Sequence, residues 1–368
     1  MSDKPGASAS YADAGVDTQA GERAVDLMRA AIAGATRPEV VGDFGGFAGL
    51  FDISAFKAMT KPLLATSTDG VGTKIDVARR MDIHDTVGID LVAMVVDDLV
   101  VCGAQPLFMT DYIAVGKVHP ERVAAIVTGI AKGCEIAGCA LVGGETAEHP
   151  GLLGIDDYDI AGAGTGIVDA VNLLGPDRVV AGDVAIAIGS SGLHSNGFSL
   201  ARHVAFNVAS LDVHDHVSEF GRTLGEELLE PTKIYAKDIL NLIGAIEVHS
   251  ISHITGGGIA ANAARVLPSD LAIDLDRSTW TPQAIFSWLQ ARGNISQAES
   301  EKTFNMGIGM LVFVPASMAQ LAITSLQASG QIAWVCGQVR ERRSDEQGDA
   351  KAKGGNGGAV MLVGKYTP

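Results

Sequence analysis

The sequence predicts a mixed α/β protein, α+β in its arrangement, built from two domains. Three observations carry this. The chain has 368 residues, more than one hydrophobic core ordinarily serves. Strand-like and helix-like segments interleave in both halves instead of segregating. Apolar residues make up 47% and charged residues 19%, the balance of large cores and not of a disordered chain. The 45 glycines exceed the usual share of about 7% and predict many tight loops where backbone can approach a ligand.

Residues 1–20 read as a polar arm, and Gly21 to Ile32 as a short helix ended by Gly34 and Pro38. The stretch "VGDFGGFAGLFD" carries three phenylalanines among glycines and reads either as a plain loop or as a lid over a ligand. Pro62 to Ser67 predicts a strand. Asp85 to Cys102 predicts a helix, with Ile89, Val92, Val96, Leu99 and Gly103 on one stripe. Phe108 to Val115 predicts a strand, and His119-Pro120-Glu121 opens a helix running to Gly138, with proline in its first turn. Ala140 to Val142 reads as a short strand into "GGETAEHPG". "YDIAGAGTGIVD" is another strand, whose G-x-G-x-G is too weak for a dinucleotide fingerprint without its βαβ context.

"LLGPDRVVAGD", residues 173–183, marks the domain junction, giving domains 1–172 and 173–368. The strand Val184 to Ile188 then opens into "GSSGLHSNGFSLARHVA", strand to glycine turn to helix. "HSISHITGGGIAANAARVLP" repeats that plan. Trp280 to Ala291 predicts a helix, "FNMGIGMLVFVP" a strand and Met318 to Ala328 a helix. Residues 340–359, "RERRSDEQGDAKAKGGNGGA", are charged and glycine-rich and predict a disordered hairpin tip before a last strand, Val360 to Gly364.

A net charge of −16 argues against a nucleic-acid partner, which would want a basic face. It leaves room for a phosphorylated small molecule if the site itself supplies N–H groups, cations or metal. No apolar run reaches membrane-spanning length, and "MSDKPGASASYADAGVD" lacks a signal peptide's apolar core. Cys102, Cys134, Cys139 and Cys336 sit in apolar surroundings without C-x-x-C spacing, as buried reduced thiols of a cytoplasmic protein would.

The anomaly lies in "LVAMVVDDLVVC", Leu91 to Cys102. It is apolar almost all round and should be buried, yet Asp97 and Asp98 stand in its middle and Asp90 lies two turns earlier. A buried carboxylate costs several kcal/mol unless it is paired or holds a metal. Asp69 and Glu145 stand at the exits of two predicted strands, and such acids converging on a glycine-lined space suit Mg²⁺. The alternative is that Asp97 and Asp98 cap or salt-bridge a neighbouring element. "TSTDGVGTK", Thr66 to Lys74, departs from a phosphate-binding Walker loop in its glycine spacing and in Thr73 preceding Lys74. An acid on metal, followed by N–H groups, Thr73 and Lys74, makes a coherent phosphate site; Asp-Gly is also a strong hairpin signal. "SSGLHSNG" and "SHITGGG" each place a histidine beside glycines before a helix, as anion sites or as ordinary turns.

"YADAGVD", "STDGVGTK", "GIDLVAM", "DDLVVCGAQPLF", "LVGGETAE", "GLHSNGFSL", "HITGGG" and "FNMGIGM" follow in order from about residue 11 to residue 340. Together they resemble the phosphoribosylformylglycinamidine cyclo-ligases, the aminoimidazole ribonucleotide synthetases of purine biosynthesis. The resemblance implies the two-domain fold of ATP-dependent synthetases, a ligase that closes the imidazole ring of 5-aminoimidazole ribonucleotide, ATP with Mg²⁺ and, as often in that family, K⁺, a homodimer and a cytoplasmic setting. It implies Asp69, Asp98 and Glu145 as metal ligands, with Asp97 lesser because many relatives read Asn-Asp there. Gly70, Gly72, Thr73 and Lys74 are implied as phosphate contacts, as is Asp69, and Gly45 and Gly46 as part of the loop covering nucleotide. His194, Asn196 and Lys74 are implied as catalytic, and Thr255, Gly256, Gly257 and Gly258 as the second domain's glycine loop. Related alternatives are formylglycinamidine synthetase, thiamine-phosphate kinase, a hydrogenase-maturation dehydratase and selenophosphate synthetase. The absence of cysteine from residues 1–50 counts against the last. A non-catalytic nucleotide-binding protein would have lost acids or glycine loops, and none is lost.

Overall fold

The computed structural model describes residues 17–42 and 46–367. Its first half comprises helix α1 (Thr18–Gly34), strands β1 (Val40–Val41) and β2 (Leu50–Phe51), and strand β3 (Pro62–Gly70). Helices α2 (Ile75–Met81) and α3 (Asp85–Val100) follow, then β4 (Gln105–Val115), α4 (Pro120–Ala137), β5 (Ala140–Glu148) and β6 (Tyr158–Asp169). Asp17 caps α1 by accepting the Ala20 amide. The four-stranded sheet has the order β3-β6-β4-β5, with β4 and β5 parallel and the other pairs antiparallel.

Helix α3 is buried nearly all round, as its composition predicts. It reaches the sheet closely because Gly162 and Gly164 of β6 face it. A Cβ at Gly164 would stand 2.7 Å from a Val95 methyl. The weak G-x-G-x-G of this strand is therefore a packing groove. On the other side, Gly129 of α4 meets α3 backbone to backbone, and a Cβ there would lie 1.8 Å from the Asp85 carbonyl oxygen. From Met109 to Val115 of β4 the alternation is regular: Met109, Ile113 and Val115 are buried while Tyr112 is exposed. Leu64 of β3 is 70% exposed, so the second face of this sheet carries apolar side chains in the open.

The second half comprises β7 (Val184–Gly189), α5 (Phe198–Arg202), the short pair β8 (His216–Val217) and β9 (Arg222–Thr223), α6 (Leu224–Leu228) and α7 (Ala236–Ala245). After these come β10 (Ser250–His253), α8 (Gly258–Ala264), β11 (Leu271–Asp276), α9 (Ala284–Gly293), α10 (Gln297–Thr303), β12 (Ile308–Val314), α11 (Ala319–Ala328), β13 (Ala333–Glu341) and β14 (Ala359–Val363). The six-stranded sheet runs β10-β12-β7-β13-β11-β14. Every residue of β7 and β12 is buried, as continuous apolar strands in a sheet covered on both faces should be.

The residue patterns give most of these elements their place, and three expectations change. β5 extends through "GGETAE", so Glu145 lies within a strand and not at its exit. β11 and β13 are strands that the alternation of "LAIDLD" and "AWVCGQVRE" could have announced. The segment expected to be disordered, 340–359, is fastened. Arg340 forks between Asp274 at 2.9 Å and Glu346 at 2.8 Å, Arg342 reaches the Ser269 carbonyl, and Ala352 is buried. Composition hid these ties because each joins the segment to a distant strand or loop. Cys134, Cys139 and Cys336 are buried and Cys102 half-buried, all as free thiols. Among the described residues no helix is long and apolar enough to cross a membrane.

Gly129→Ala is expected to lower stability by about 1–3 kcal/mol through overpacking of the α3–α4 contact. Urea unfolding with an unchanged slope would register it, and a midpoint equal to wild type would contradict the close approach.

Candidate active site

Three acids of α3 decide how the two sheets meet. Asp90 is fully buried. Its Oδ1 accepts from Lys74 Nζ at 2.9 Å, from the Thr232 amide at 2.7 Å and from the Thr232 hydroxyl at 2.5 Å. Lys74 Nζ donates also to the carbonyls of Glu230 at 2.7 Å and His194 at 3.2 Å. An ammonium has three protons, and all three are engaged. This corrects the expectation that Lys74 contacts phosphate or acts in catalysis: the turn Gly72–Lys74, opened by Gly72 at φ 70°, directs Lys74 inward. Burial pushes its pKa down and the Asp90 charge opposes that.

Asp97 is likewise buried and accepts the Tyr235 amide at 3.0 Å, at the start of α7. It is a capping carboxylate between the halves. Burial pushes it up to about 7, with the His253 charge and the amide bonds opposing. Asp98, the next residue, opens outward with its side chain 45% exposed, and accepts from His253 Nδ1 at 2.9 Å. Burial alone would lower His253. The Asp98 hydrogen bond, with the charges of Asp98, Asp97 and Asp69, holds it above the ordinary histidine range. Its Nε2 is buried without a partner among the described residues.

Asp69, near the end of β3, joins this cluster. It is half-buried and accepts the Gly70 amide at 2.7 Å. Burial raises its pKa, the Gly70 bond opposes, and the nearby Asp98 charge raises it further. Two acids from the first half and a histidine from the second therefore share one cleft. Thr73 crosses the same seam, its hydroxyl 3.2 Å from that of Ser199.

The glycine loop after β10 forms the next wall. Gly257 and Gly258 take φ 103° and 73°, and a Cβ at Gly258 would fall 1.7 Å from the Glu301 carbonyl oxygen. Asn262, which the sequence gave no reason to single out, fixes the loop by donating to the carbonyls of Thr255 at 3.1 Å and Gly258 at 2.9 Å. Asn196 stands against this loop: its Oδ1 lies 3.6 Å from where Gly256 would carry a Cβ. His194 does not reach the cleft. It is buried at φ 60°, Nε2 accepts the Ser191 amide at 3.2 Å, and burial, then the charges of His253, Lys74 and Lys233, depress its pKa well below normal. A neutral imidazole enclosed in this way is a positioning group, which corrects its expected catalytic place.

Glu145 is not with Asp69 and Asp98. Gly70, Ala161, Tyr112 and Glu145 form one row across the sheet, so Glu145 stands about 14 Å from Gly70, three strand spacings away. The expected three-acid metal set is not assembled within one chain, because β5 and β3 are opposite edges. Glu145 instead borders a cavity of about 280 Å³ between α1 and β5. Gly46 borders an adjoining one of about 420 Å³, and Gly45 lies outside the described residues. Asp111 of β4 lines both cavities, and burial pushes it up to about 7; sequence reading missed it because it occupies an ordinary strand position.

Among the described residues no group of three His, Cys, Asp or Glu side chains is arranged to hold a metal ion by itself. Two carboxylates, Asp69 and Asp98, fit a Mg²⁺ that arrives with nucleotide phosphates and keeps several waters. They would hold that ion beside Gly72 and the glycine loop; the Gly70 N–H, expected to contact phosphate, is instead given to Asp69.

The comparisons with known proteins agree with this architecture. Residues 50–168 match the family described as AIR synthase related protein, N-terminal domain, and residues 180–348 its C-terminal domain. A thiamine-monophosphate kinase structure from Stenotrophomonas maltophilia K279a is similar at 17% identity and TM-score 0.63, covering 92% of this chain and 95% of that one. The hydrogenase maturation protein HypE of E. coli is similar at 20% identity and TM-score 0.60, over 86% and 90% of the two chains. A HypE structure in complex with ATP gives 16% identity and TM-score 0.61, over 87% and 86%.

Lys74→Met is expected to lower stability by about 3–5 kcal/mol by stranding Asp90 in the interior. Lys74→Met with Asp90→Leu should recover part of that loss in denaturant unfolding. If the single change is silent, the pair is not a clasp. Asp97 supplies a pH signature. Its folded pKa, about 7, exceeds the usual value, so its contribution is full below about pH 4 and is lost as pH rises toward 7. The thermal midpoint of Asp97→Asn should therefore gain on wild type across that window and hold a constant lead above it; parallel curves would contradict a buried, proton-binding Asp97.

Proposed function

Because the chain belongs to the AIR synthase-related superfamily, we propose that it is the ATP-dependent cyclo-ligase that converts formylglycinamidine ribonucleotide to 5-aminoimidazole ribonucleotide, ADP and phosphate. The observation that carries this is the meeting of Asp69 and Asp98 with His253 and the glycine loop in one cleft, behind motifs that follow the cyclo-ligase order. The relatives support ATP as the phosphoryl donor: one is a kinase by name and another was solved with ATP.

The chemistry suits such a cleft. An amide oxygen is a poor leaving group. The formyl oxygen attacks the γ-phosphorus of ATP, the bond to ADP breaks, and an imidate phosphate forms. A nitrogen of the same molecule then attacks that carbon, phosphate departs with its oxygen, and a proton is lost as the ring becomes aromatic. The attack is intramolecular, so no second encounter is needed. Mg²⁺ held by Asp69 and Asp98 would offset the charge of the transferring group, with K⁺ as a further ion. Gly72, Thr73 and the loop Thr255–Gly258 would bind phosphate, Asn196 would orient substrate, and Lys74 and His194 would hold that frame. The regions 1–172 and 173–368 are the working domains. The exposed apolar face at Leu64 and Tyr112 is where a second copy would dock to give a homodimer. Free thiols throughout accord with a cytoplasmic setting.

The decisive assay follows ADP and the aminoimidazole product together. A one-to-one ratio is expected; ADP without product would favour a kinase-like relative, and binding of ATP without ADP would favour a non-catalytic protein. Asp98→Asn should lower turnover about 100-fold, the scale of losing one preorganised electrostatic contact, with little change in thermal midpoint. Near-normal turnover would remove Asp98 from the site. Leu64→Glu should convert dimer to monomer in sedimentation, and an unaltered mass would place the interface elsewhere.

A further inference from the structure

The C-terminal family match ends at residue 348, and the chain beyond it is built into the molecule. Asp349 donates its amide to the Val360 carbonyl at 2.8 Å and accepts the Leu362 amide on its carboxylate at 2.7 Å. At the other end Gly357 presses on the Ala264 carbonyl, where a Cβ would come within 2.1 Å. Between these anchors Ala352 is buried.

Held in this way, the segment forms one wall of a cavity of about 730 Å³ whose other walls are Gly257 of the glycine loop, α8 and α10. That volume suits a nucleotide or sugar phosphate. One pair of opposite charges on its lining is joined, and two of its acids take neutral donors. Arg277 grips Glu301 through two nitrogens, at 2.6 and 2.8 Å, Asp349 is taken by Leu362, and Glu299 accepts from the Thr303 hydroxyl. Lys302 and Lys351 have no hydrogen bond or acidic partner among the described residues. Arg277, Lys302 and Lys351 balance Glu299, Glu301 and Asp349 on this wall, so the cavity is locally neutral in a chain whose net charge is −16, and two of its cations are held by no acid among the described residues. Lys353, two residues further on, lies near enough to Asp69 for its charge to favour the ionised carboxylate, so the same segment extends toward the acid pair.

We propose that Asp349–Gly358 is a substrate-binding wall, on which Lys351, together with Lys302 of α10, grips the phosphate monoester of the ribonucleotide substrate. The phosphate contact follows from the cavity and its charges; that the phosphate is carried on a ribose rests on the cyclo-ligase reading. A lysine–phosphate contact is charge-assisted, and losing one is expected to weaken binding about tenfold, which is about 1.4 kcal/mol.

Calorimetric titration of the full chain with ribose 5-phosphate, and separately with Mg-ATP, tests this. Wild type should bind ribose 5-phosphate. Lys351→Ala and Lys302→Ala should each weaken it about tenfold while leaving Mg-ATP affinity unchanged, and Lys351→Arg should restore most of the loss. Ribose 5-phosphate affinity unmoved by both changes, no binding by wild type, or loss confined to Mg-ATP would each overturn the proposal; the last would assign the lysines to the nucleotide's phosphates. Lysine-dependent ribose 5-phosphate binding in a chain that makes no aminoimidazole product would keep this site and reject the cyclo-ligase reading. An active enzyme with unaltered substrate KM in both variants would do the reverse.

Discussion

The buried pair of Lys74 and Asp90 is the constraint on which the rest depends. Neither charge touches water, and each survives in the interior because the other, with two carbonyls and the Thr232 amide and hydroxyl, satisfies it. Such a pair is a poor source of net stability, since desolvation offsets most of the attraction. Its effect is geometric. A stranded charge is so unfavourable that β3, α3, the turn at His194 and the segment before α7 must come together in one arrangement. Asp97, accepting the Tyr235 amide, repeats the constraint two turns along the same helix. With those two residues turned inward, Asp98 at the end of α3 is the one of the three that faces the cleft.

The cleft then has an electrical logic. Asp69 and Asp98 repel each other, and His253 sits against Asp98 as a partial counter-charge. A divalent ion that came with phosphate would relieve the remaining repulsion, and the backbone N–H groups of two glycine turns would meet the phosphate oxygens. On the proposed function, an acidic protein would meet an anionic substrate through backbone N–H groups and a bound cation and not through its net charge.

How much of this the sequence made legible depended on the range of the interaction. Helix α3 was visible because its apolar residues leave no polar face, and the strand-turn-helix units at Ser190 and Thr255 were visible because glycine and small polar residues mark them locally. The acids of α3 were visible as an anomaly, but their division into two clasps and one open carboxylate was not. That division rests on Thr232 and Tyr235, which are 142 and 138 residues away from Asp90 and Asp97. Lys74 misled for the same reason: beside glycines it resembles a phosphate ligand, and only the fold shows its ammonium filled by carbonyls. Glu145 misled through strand order, since chain position does not say that β3 and β5 form opposite edges. The fastened segment 340–359 escaped because its anchors, Asp274, Ser269 and Ala264, lie in the preceding hundred residues and leave no local pattern.

On the proposed function, the seam around α3 carries a phosphoryl transfer to the substrate's own amide oxygen, followed by ring closure. The most direct measurement is to supply formylglycinamidine ribonucleotide labelled with ¹⁸O in the formyl group, with Mg-ATP, and to weigh the released phosphate. One ¹⁸O is expected in each phosphate, because the formyl oxygen leaves on phosphorus. Unlabelled phosphate, with the ¹⁸O still in the nucleotide or lost to water, would contradict it.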